Sequence, residues 1–380
     1  MPTTIGVNLT WLVPGVVGGS EEYTVRLLEA VAPFLPEGVG LRLYGRDDLA
    51  RAHPALVGLH RFVRVPALPG GRVSRVALES SWLAGLTRGD AAVHHAGGTV
   101  PPLRLAPAAV TVHDPQPLDM PENFDRLKRW WLGRSLPHAV GAARLVLCPS
   151  RFTADRLRDL LGVPDEKLRV VPHGHRSPPA EPDDGEGSGR RSRAAVAYGR
   201  YVLYPAIAYP HKRHVDVVRL LDRLGPGHED VAVVFTGRPG PESGAVAAEA
   251  ERLGVADRVH VLGRVPAAEL EVLYRSASAL VFPSAYEGFG NPALEAMGLG
   301  CPAIVSDAGA LPEVVGEAGL VFPVGDVDAM AGKVARVLDT PDLADELRRR
   351  GRARAADFDV DIAAKRLADV YRELVDAGRG

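Results

Sequence analysis

Two acidic side chains, with seven residues between them that include glycines, an asparagine and a proline, carry the most chemical information in this chain. They lie in the segment Ala279-Leu-Val-Phe-Pro-Ser-Ala-Tyr-Glu287-Gly288-Phe289-Gly290-Asn291-Pro292-Ala293-Leu294-Glu295. The apolar run reads as a buried strand ending near Phe282, followed by a glycine-rich turn. Asn291 suits a helix N-cap and Pro292 the first helical position. That reading puts Glu287 in a loop at the carboxyl end of a strand and Glu295 in the first turn of the next helix. Gly288 and Gly290 let the backbone approach a ligand closely. A helix start offers unpaired N–H groups and partial positive charge, which suits a diphosphate. An ionised carboxylate only accepts hydrogen bonds, so Glu295 can hold the two hydroxyls of a ribose and Glu287 the hydroxyls of a second sugar. Taken alone, the same residues also fit a carboxylate that complements the helix dipole beside a glycine-shaped turn.

Five further clusters could do chemistry or meet a partner. Tyr209-Pro210-His211-Lys212-Arg213-His214 follows a strand, and Lys212 is a compact cation placed for phosphate oxygens. Thr236-Gly237-Arg238 ends another strand. Near the start, Gly15-Val16-Val17-Gly18-Gly19-Ser20-Glu21-Glu22-Tyr23 joins strand to helix, with Ser20 as a credible N-cap. It is not G-x-G-x-x-G, which leaves a dinucleotide oxidoreductase as the weakest reading. His113 and Asp114 follow a fourth strand, where a lone histidine is more often structural than reactive. Lys128, Arg129, Trp130, Trp131 and Arg134 form a basic-aromatic cluster that could touch an anionic membrane or a lipid-linked acceptor. A part-buried helix with a solvated basic edge is the plainer reading.

The elements that must position these residues alternate along the chain. Ile5–Thr10, Leu41–Tyr44, Ala108–Val112, Leu145–Cys148, Val202–Tyr204, Val231–Phe235, Val259–Leu262, Ala279–Phe282 and Ala303–Val305 read as buried strands. Ser20–Val31, Arg151–Leu161, Val215–Leu224, Gly244–Leu253 and Ala267–Ser276 read as helices between them. Such alternation predicts parallel sheets with helices on both faces. Residues 177 to 195, rich in proline, glycine and charge, cannot bury enough surface to fold and read as a flexible linker or insertion. The expected domains are therefore 1–176, 196–358 and a terminal helix over 359–380.

The bulk composition agrees. The chain has 380 residues, 46% hydrophobic and 24% charged, which fits two or three domains at roughly 150 residues each. A formal net charge of −2 from 45 basic and 47 acidic residues argues against nucleic-acid binding. The two cysteines, Cys148 and Cys301, lie in no CxxC pattern and read as reduced and buried. No leader segment and no membrane-spanning run is apparent, so a cytoplasmic location is expected, with peripheral contact at the inner membrane face an extension of it.

The segment from Glu287 to Glu295 resembles the E-x7-E signature of retaining GT-B glycosyltransferases, glycosyltransferase family 4 above all. Phe282-Pro283-Ser284, Glu295-Ala296-Met297-Gly298-Leu299-Gly300-Cys301-Pro302 and Leu311-Pro312-Glu313-Val314-Val315-Gly316 extend the likeness. The resemblance implies two Rossmann-like, doubly wound domains facing across a cleft, with the C-terminal helix crossing back to the first. The first domain would take the acceptor and the second the nucleotide-sugar. It implies that Glu287 contacts the donor sugar and Glu295 its ribose, and that Lys212 binds the diphosphate. It further implies that Gly19, Gly237, Arg238, Gly288, Phe289, Gly290 and Asn291 line the donor. His113 lies by the reacting centre, with Tyr23 and Asp114 on the acceptor side. Where many members carry an arginine shortly before the lysine, this chain has Ile207. His211, Arg213 or Arg238 is left to supply the second charge.

The activity this resemblance implies is a retaining hexose transfer from a nucleotide-diphosphate sugar. Tyr209–Lys212 and His113–Leu118 resemble segments of members that use GDP-mannose or deoxysugar nucleotides such as dTDP-rhamnose, and GDP-mannose is the expected donor. The acceptor is a glycan, a lipid-linked molecule or a small natural product. No Asp-x-Asp metal site is evident, and no metal or other cofactor is expected, because Lys212 and the helix start can neutralise the departing phosphate. The alternatives are a dTDP- or UDP-sugar transferase of the same fold, a sugar-nucleotide epimerase, and a non-catalytic relative that only binds nucleotide-sugar.

Overall fold

The computed structural model describes residues 3–16, 18–66, 77–97, 107–176 and 197–378. The segment read above as a linker, 177–195, lies outside the described residues. The chain divides into two compact units, one of residues 1–174 with 360–380 and one of residues 175–359.

The first unit is built on β1 (Thr3–Asn8), β2 (Val39–Gly45), β3 (Arg61–Arg64), β4 (Ala92–His95), β5 (Ala108–Thr111), β6 (Leu145–Cys148) and β7 (Leu168–Val170). Together they form a seven-stranded sheet in the order β3-β2-β1-β4-β5-β6-β7. Every pairing is parallel. The strand order reverses between β1 and β4, and in open parallel sheets ligands sit beyond the carboxyl ends of the strands at such a point. β1, β4, β5 and β6 are buried almost throughout, which is why they read as apolar runs rather than alternating ones.

Local signals set the helix limits. In Arg151–Leu161 the Ser150 hydroxyl accepts from the Thr153 N–H, and Gly162 closes the helix in the left-handed conformation at φ 61°. The terminal helix Val360–Ala377 returns to the first unit, where Leu367, Tyr371 and Leu374 share a core with Leu27 and Leu28 of the helix Gly19–Val31. A glycine is required at 174, because a Cβ there would meet the Val360 Cα at 2.6 Å.

The second unit holds β8 (Arg200–Pro205), β9 (Val231–Thr236), β10 (Val259–Val261), β11 (Ala279–Phe282), β12 (Ala303–Ser306) and β13 (Leu320–Phe322). They form a six-stranded parallel sheet in the order β10-β9-β8-β11-β12-β13, reversing between β8 and β11. Its core runs through Leu203, Val233, Val281 and Ile304 and continues into the helices Asn291–Gly298 and Val327–Asp339. Among the described residues no helix is long and apolar enough to cross a membrane.

Strands β3, β4, β7 and β13 were not read from the sequence. β4 is the instructive case: it ends in His94 and His95, yet all four of its residues are buried at the centre of the sheet. His94 is satisfied at both ring nitrogens, Nδ1 to the Tyr371 hydroxyl at 2.9 Å and Nε2 to the Thr111 hydroxyl at 2.7 Å. Burial lowers both rings to a pKa of about 3, so each enters the core neutral.

Candidate functional site

The strand reversal in the second unit places two loops side by side. The loop after β8 carries Lys212 and the loop after β11 carries Glu287. The Ala285 N–H donates to the His211 carbonyl at 2.7 Å, and the Tyr204 hydroxyl donates to the Lys212 carbonyl at 2.6 Å. Ser284, fully buried, donates from its hydroxyl to the Tyr286 carbonyl at 3.1 Å and receives the Ser306 hydroxyl on its own carbonyl at 2.5 Å. These bonds fix the backbones on either side of the two charges. The Lys212 ammonium then donates to Glu287 Oε1 in an ion pair whose side chains are 18% and 13% exposed. It also lies 5.5 Å from the centroid of the Phe282 ring.

The turn from Glu287 into the next helix differs in register from the sequence reading. The N-cap is Gly290, at φ 106°, and Asn291 is the first residue of the helix Asn291–Gly298. A Cβ at 290 would sit 2.5 Å from the Leu311 side chain, so only glycine turns this corner. Glu295 is therefore the fifth helical residue, in the second turn rather than the first, and it accepts from the Tyr274 hydroxyl at 3.1 Å. Phe289 is also corrected. Its side chain is 4% exposed and meets Phe358 edge-on at 5.6 Å, so it belongs to the core, and only its main chain can serve a ligand.

A third loop, after β12, was missed. Ala310 N–H donates to the Glu287 carbonyl at 3.0 Å, and Gly309, at φ +63°, lies so close that a Cβ would come within 2.4 Å of that oxygen. The Gly309-Ala310 pair just before Leu311-Pro312 was the available signal. The loop after β9 packs on the loop after β8 in the same way: a Cβ at Gly237 would meet the Ala206 carbonyl at 2.7 Å. Arg238 stands exposed just beyond it.

The three candidates for a second cation separate on this geometry. Burial, with Lys212 next to it, lowers His211 to a pKa of about 3, so its ring is neutral. Arg213, in the left-handed conformation at φ 54°, is engaged with Asp216 at 2.6 Å. Arg238 is the exposed cation of the three.

In the first unit, His113 follows β5 and Gly19 opens the helix Gly19–Val31, whose N-cap is Gly18 rather than Ser20. His113 Nε2 bonds to the Ala96 carbonyl at 3.0 Å, which requires the proton on Nε2 and leaves Nδ1 as an acceptor with no partner. Burial holds the ring near a pKa of about 4. Asp114 does not orient this ring; its carboxylate accepts from the Gln116 N–H at 3.0 Å in a local turn. Tyr23 packs edge-on against His113, ring centroids 5.5 Å apart. It is 4% exposed, stacks on His173 at 4.1 Å and donates its hydroxyl to the Val171 carbonyl at 3.1 Å, so it holds the unit together rather than presenting a polar end. Across the carboxyl ends of β1 and β4 runs a buried polar chain the sequence did not reveal, with Asn8 against His95 at 3.2 Å and Thr10 against both Asn8 and Glu79. Among the described residues no three His, Cys, Asp or Glu side chains gather as metal ligands would.

The chain matches known proteins over both units. Residues 17–176 match the model of Glycosyltransferase Family 4, and residues 190–354 that of Glycosyl transferases group 1. O-antigen chain mannosyltransferase B of Escherichia coli is 28% identical over 283 residues, 74% of each chain. D-inositol 3-phosphate glycosyltransferase 1 of Catenulispora acidiphila is 28% identical over 399 residues, 96% of this chain and 93% of that one. Among solved structures, Anabaena HepE in complex with UDP and glucose superposes with a TM-score of 0.76 at 19% identity, covering 98% of this chain and all of the other. That likeness is one of fold. The paired parallel sheets and the two family matches agree: the chain is a GT-B glycosyltransferase and belongs with glycosyltransferase family 4.

Proposed function

We propose that this glycosyltransferase moves a hexose, with retention at the anomeric carbon and without a metal ion, from a nucleotide-diphosphate sugar to a glycan, lipid-linked or small-molecule acceptor. The observation that carries the reading is the Lys212–Glu287 ion pair across the β8/β11 reversal, in the loop that leads to the helix start at Gly290.

In the reaction the bond from the anomeric carbon to the diphosphate oxygen breaks, and its electron pair stays on the diphosphate. The acceptor hydroxyl forms the new bond on the same face and passes its proton to the departing diphosphate oxygen, leaving the glycoside and the nucleoside diphosphate. Positive charge builds on the sugar and negative charge on the phosphate. Lys212 and the N–H groups at Gly288, Gly290 and Asn291 are suited to the phosphate, as are Gly237 and Arg238 after β9; Gly19, at the helix start of the first unit, is a further donor-side candidate. Glu287 takes hydroxyls of the hexose once Lys212 turns to the phosphate, and Glu295 takes the ribose. His113, neutral and with Nδ1 open, accepts a hydroxyl of the substrate rather than donating a proton. Asp114 stays on the acceptor side.

GDP-mannose is the donor we favour, on the Tyr209–Lys212 and His113–Leu118 segments and the name of the Escherichia coli relative. UDP- and dTDP-sugars are the second reading, kept in view by the UDP and glucose named with HepE. Calorimetry with GDP, UDP, dTDP and ADP, then transfer from the matching sugar nucleotide in excess chelator, tests both. Preference for GDP and transfer under chelation are expected. A UDP preference moves the donor. Loss of transfer restored by magnesium ends the metal-independent reading, and donor binding without turnover on any acceptor ends the catalytic one.

A further inference from the structure

The first two turns of the helix Arg126–Ala142 do nothing for the core. No residue from 126 to 135 is buried, and the buried positions begin only at Leu136. Asp125 caps this start, its carboxylate accepting from the Lys128 N–H at 2.8 Å, so the exposed turns are held as helix. Leu127 is 75% and Trp130 53% exposed, and Trp131 is half-buried. At spacings of three and four residues these three share one helix face.

Charge on the same turns is one-sided. Arg126, Lys128, Arg129 and Arg134 are all cations, and the helix holds no acidic residue, in a protein whose net charge is −2. Elsewhere the arginines are mostly spent on carboxylates, as Arg156 is on Asp119, Arg169 on Glu373 and Arg200 on Asp230. Among the described residues none of Arg126, Arg129 and Arg134 has an ion pair. Arg134 lies over the Trp130 ring at 4.7 Å and Lys128 over Phe124 at 4.6 Å, so long cations flank the apolar face. Two exposed apolar anchors flanked by Arg126, Arg129 and Arg134 fit a surface that is anionic outside and apolar just beneath. A nucleic acid would use the cations and gain nothing from an exposed leucine.

We infer that the turn Arg126–Arg134 is a docking surface for an anionic phospholipid bilayer, with Leu127 and Trp130 entering the headgroup layer and the arginines pairing with lipid phosphates. The inference stands on this helix alone and does not depend on the donor or acceptor.

Flotation of the full chain with vesicles of phosphatidylcholine alone, and of phosphatidylcholine mixed with phosphatidylglycerol, tests it. The chain should float with the mixed vesicles and not with the neutral ones, and high salt should weaken the binding. Replacing Arg126, Arg129 and Arg134 together by Gln should lower partitioning about a hundredfold, at roughly fivefold per charge. Leu127→Ser with Trp130→Ser should lower it about tenfold or more, with the circular dichroism spectrum and nucleotide binding unchanged. Failure to float with the mixed vesicles overturns the proposal. So does undiminished flotation of the serine variant, and so does release of the bound chain by heparin with the serine variant still binding heparin and lipid equally.

Discussion

Lys212 and Glu287, 75 residues apart in sequence, are ion-paired at the point where the second sheet reverses its strand order. The pair neutralises two charges that are each mostly shielded from water, and it ties the two loops together. On the proposed function, an incoming diphosphate would compete with Glu287 for Lys212, and an incoming hexose would offer Glu287 hydroxyls in exchange. Neither charge is left uncompensated in the free protein.

The buttress behind Glu287 gives the first prediction. Gly309→Ala forces a side chain into a left-handed backbone and against the Glu287 carbonyl. It should cost about 1–3 kcal/mol of stability and slow transfer together. Gly332→Ala, in the helix Val327–Asp339 with no atom within 4 Å of the added Cβ, should be neutral or stabilising by about 0.5–1 kcal/mol. Urea unfolding and initial rates of the two variants check this.

Acid should unfold the protein steeply. Burial lowers His94, His95 and His211 to about 3 and His113 and His214 to about 4, from an ordinary 6.5. Between those values the unfolded chain holds more protons than the native one, so stability is full above pH 6.5 and falls as the pH drops through that window. Each group adds up to about 1.4 kcal/mol per pH unit. Unfolding free energies measured from roughly neutral to roughly pH 5 should fall by several kcal/mol, and His94→Gln should flatten the slope by about one proton.

His113 and Tyr23 should separate function from support. His113→Asn, which keeps an acceptor near the Nδ1 position, should retain more transfer than His113→Ala. No limb of the pH–rate profile near neutrality should come from this histidine, since it is already neutral there. Tyr23→Phe should lose about 1 kcal/mol of stability with its Val171 hydrogen bond and leave the turnover rate near wild type. Kinetics paired with thermal unfolding distinguish the two behaviours.

The sequence was most readable where burial and capping agree. Leu145–Cys148, Arg151–Leu161, Ala267–Ser276 and Ala279–Phe282 match the observed limits, because uniform apolar runs mark central parallel strands and Ser150 with Gly162 brackets a helix. β4 escaped because two histidines conceal a fully buried strand whose polar partners, Tyr371 and Asn8, lie far away along the chain. The one-residue shift at Gly290 arose because asparagine and glycine both cap helices, and only the Leu311 contact decides between them. The partner of Glu287 and the inward turn of Phe289 are long-range packing facts that no local pattern encodes, whereas the Gly309 buttress left a local trace in the Gly309-Ala310 pair.

The central claim is that Lys212 binds the diphosphate and Glu287 serves the transferred sugar. The direct test is calorimetric binding of the nucleotide diphosphate and single-turnover transfer, measured on wild type, Lys212→Ala and Glu287→Ala proteins of matching circular dichroism. The account predicts that Lys212→Ala weakens nucleotide binding about tenfold or more, and that Glu287→Ala binds the nucleotide normally but transfers about a hundred- to a thousandfold more slowly. Wild-type turnover in the folded Glu287→Ala protein would contradict it.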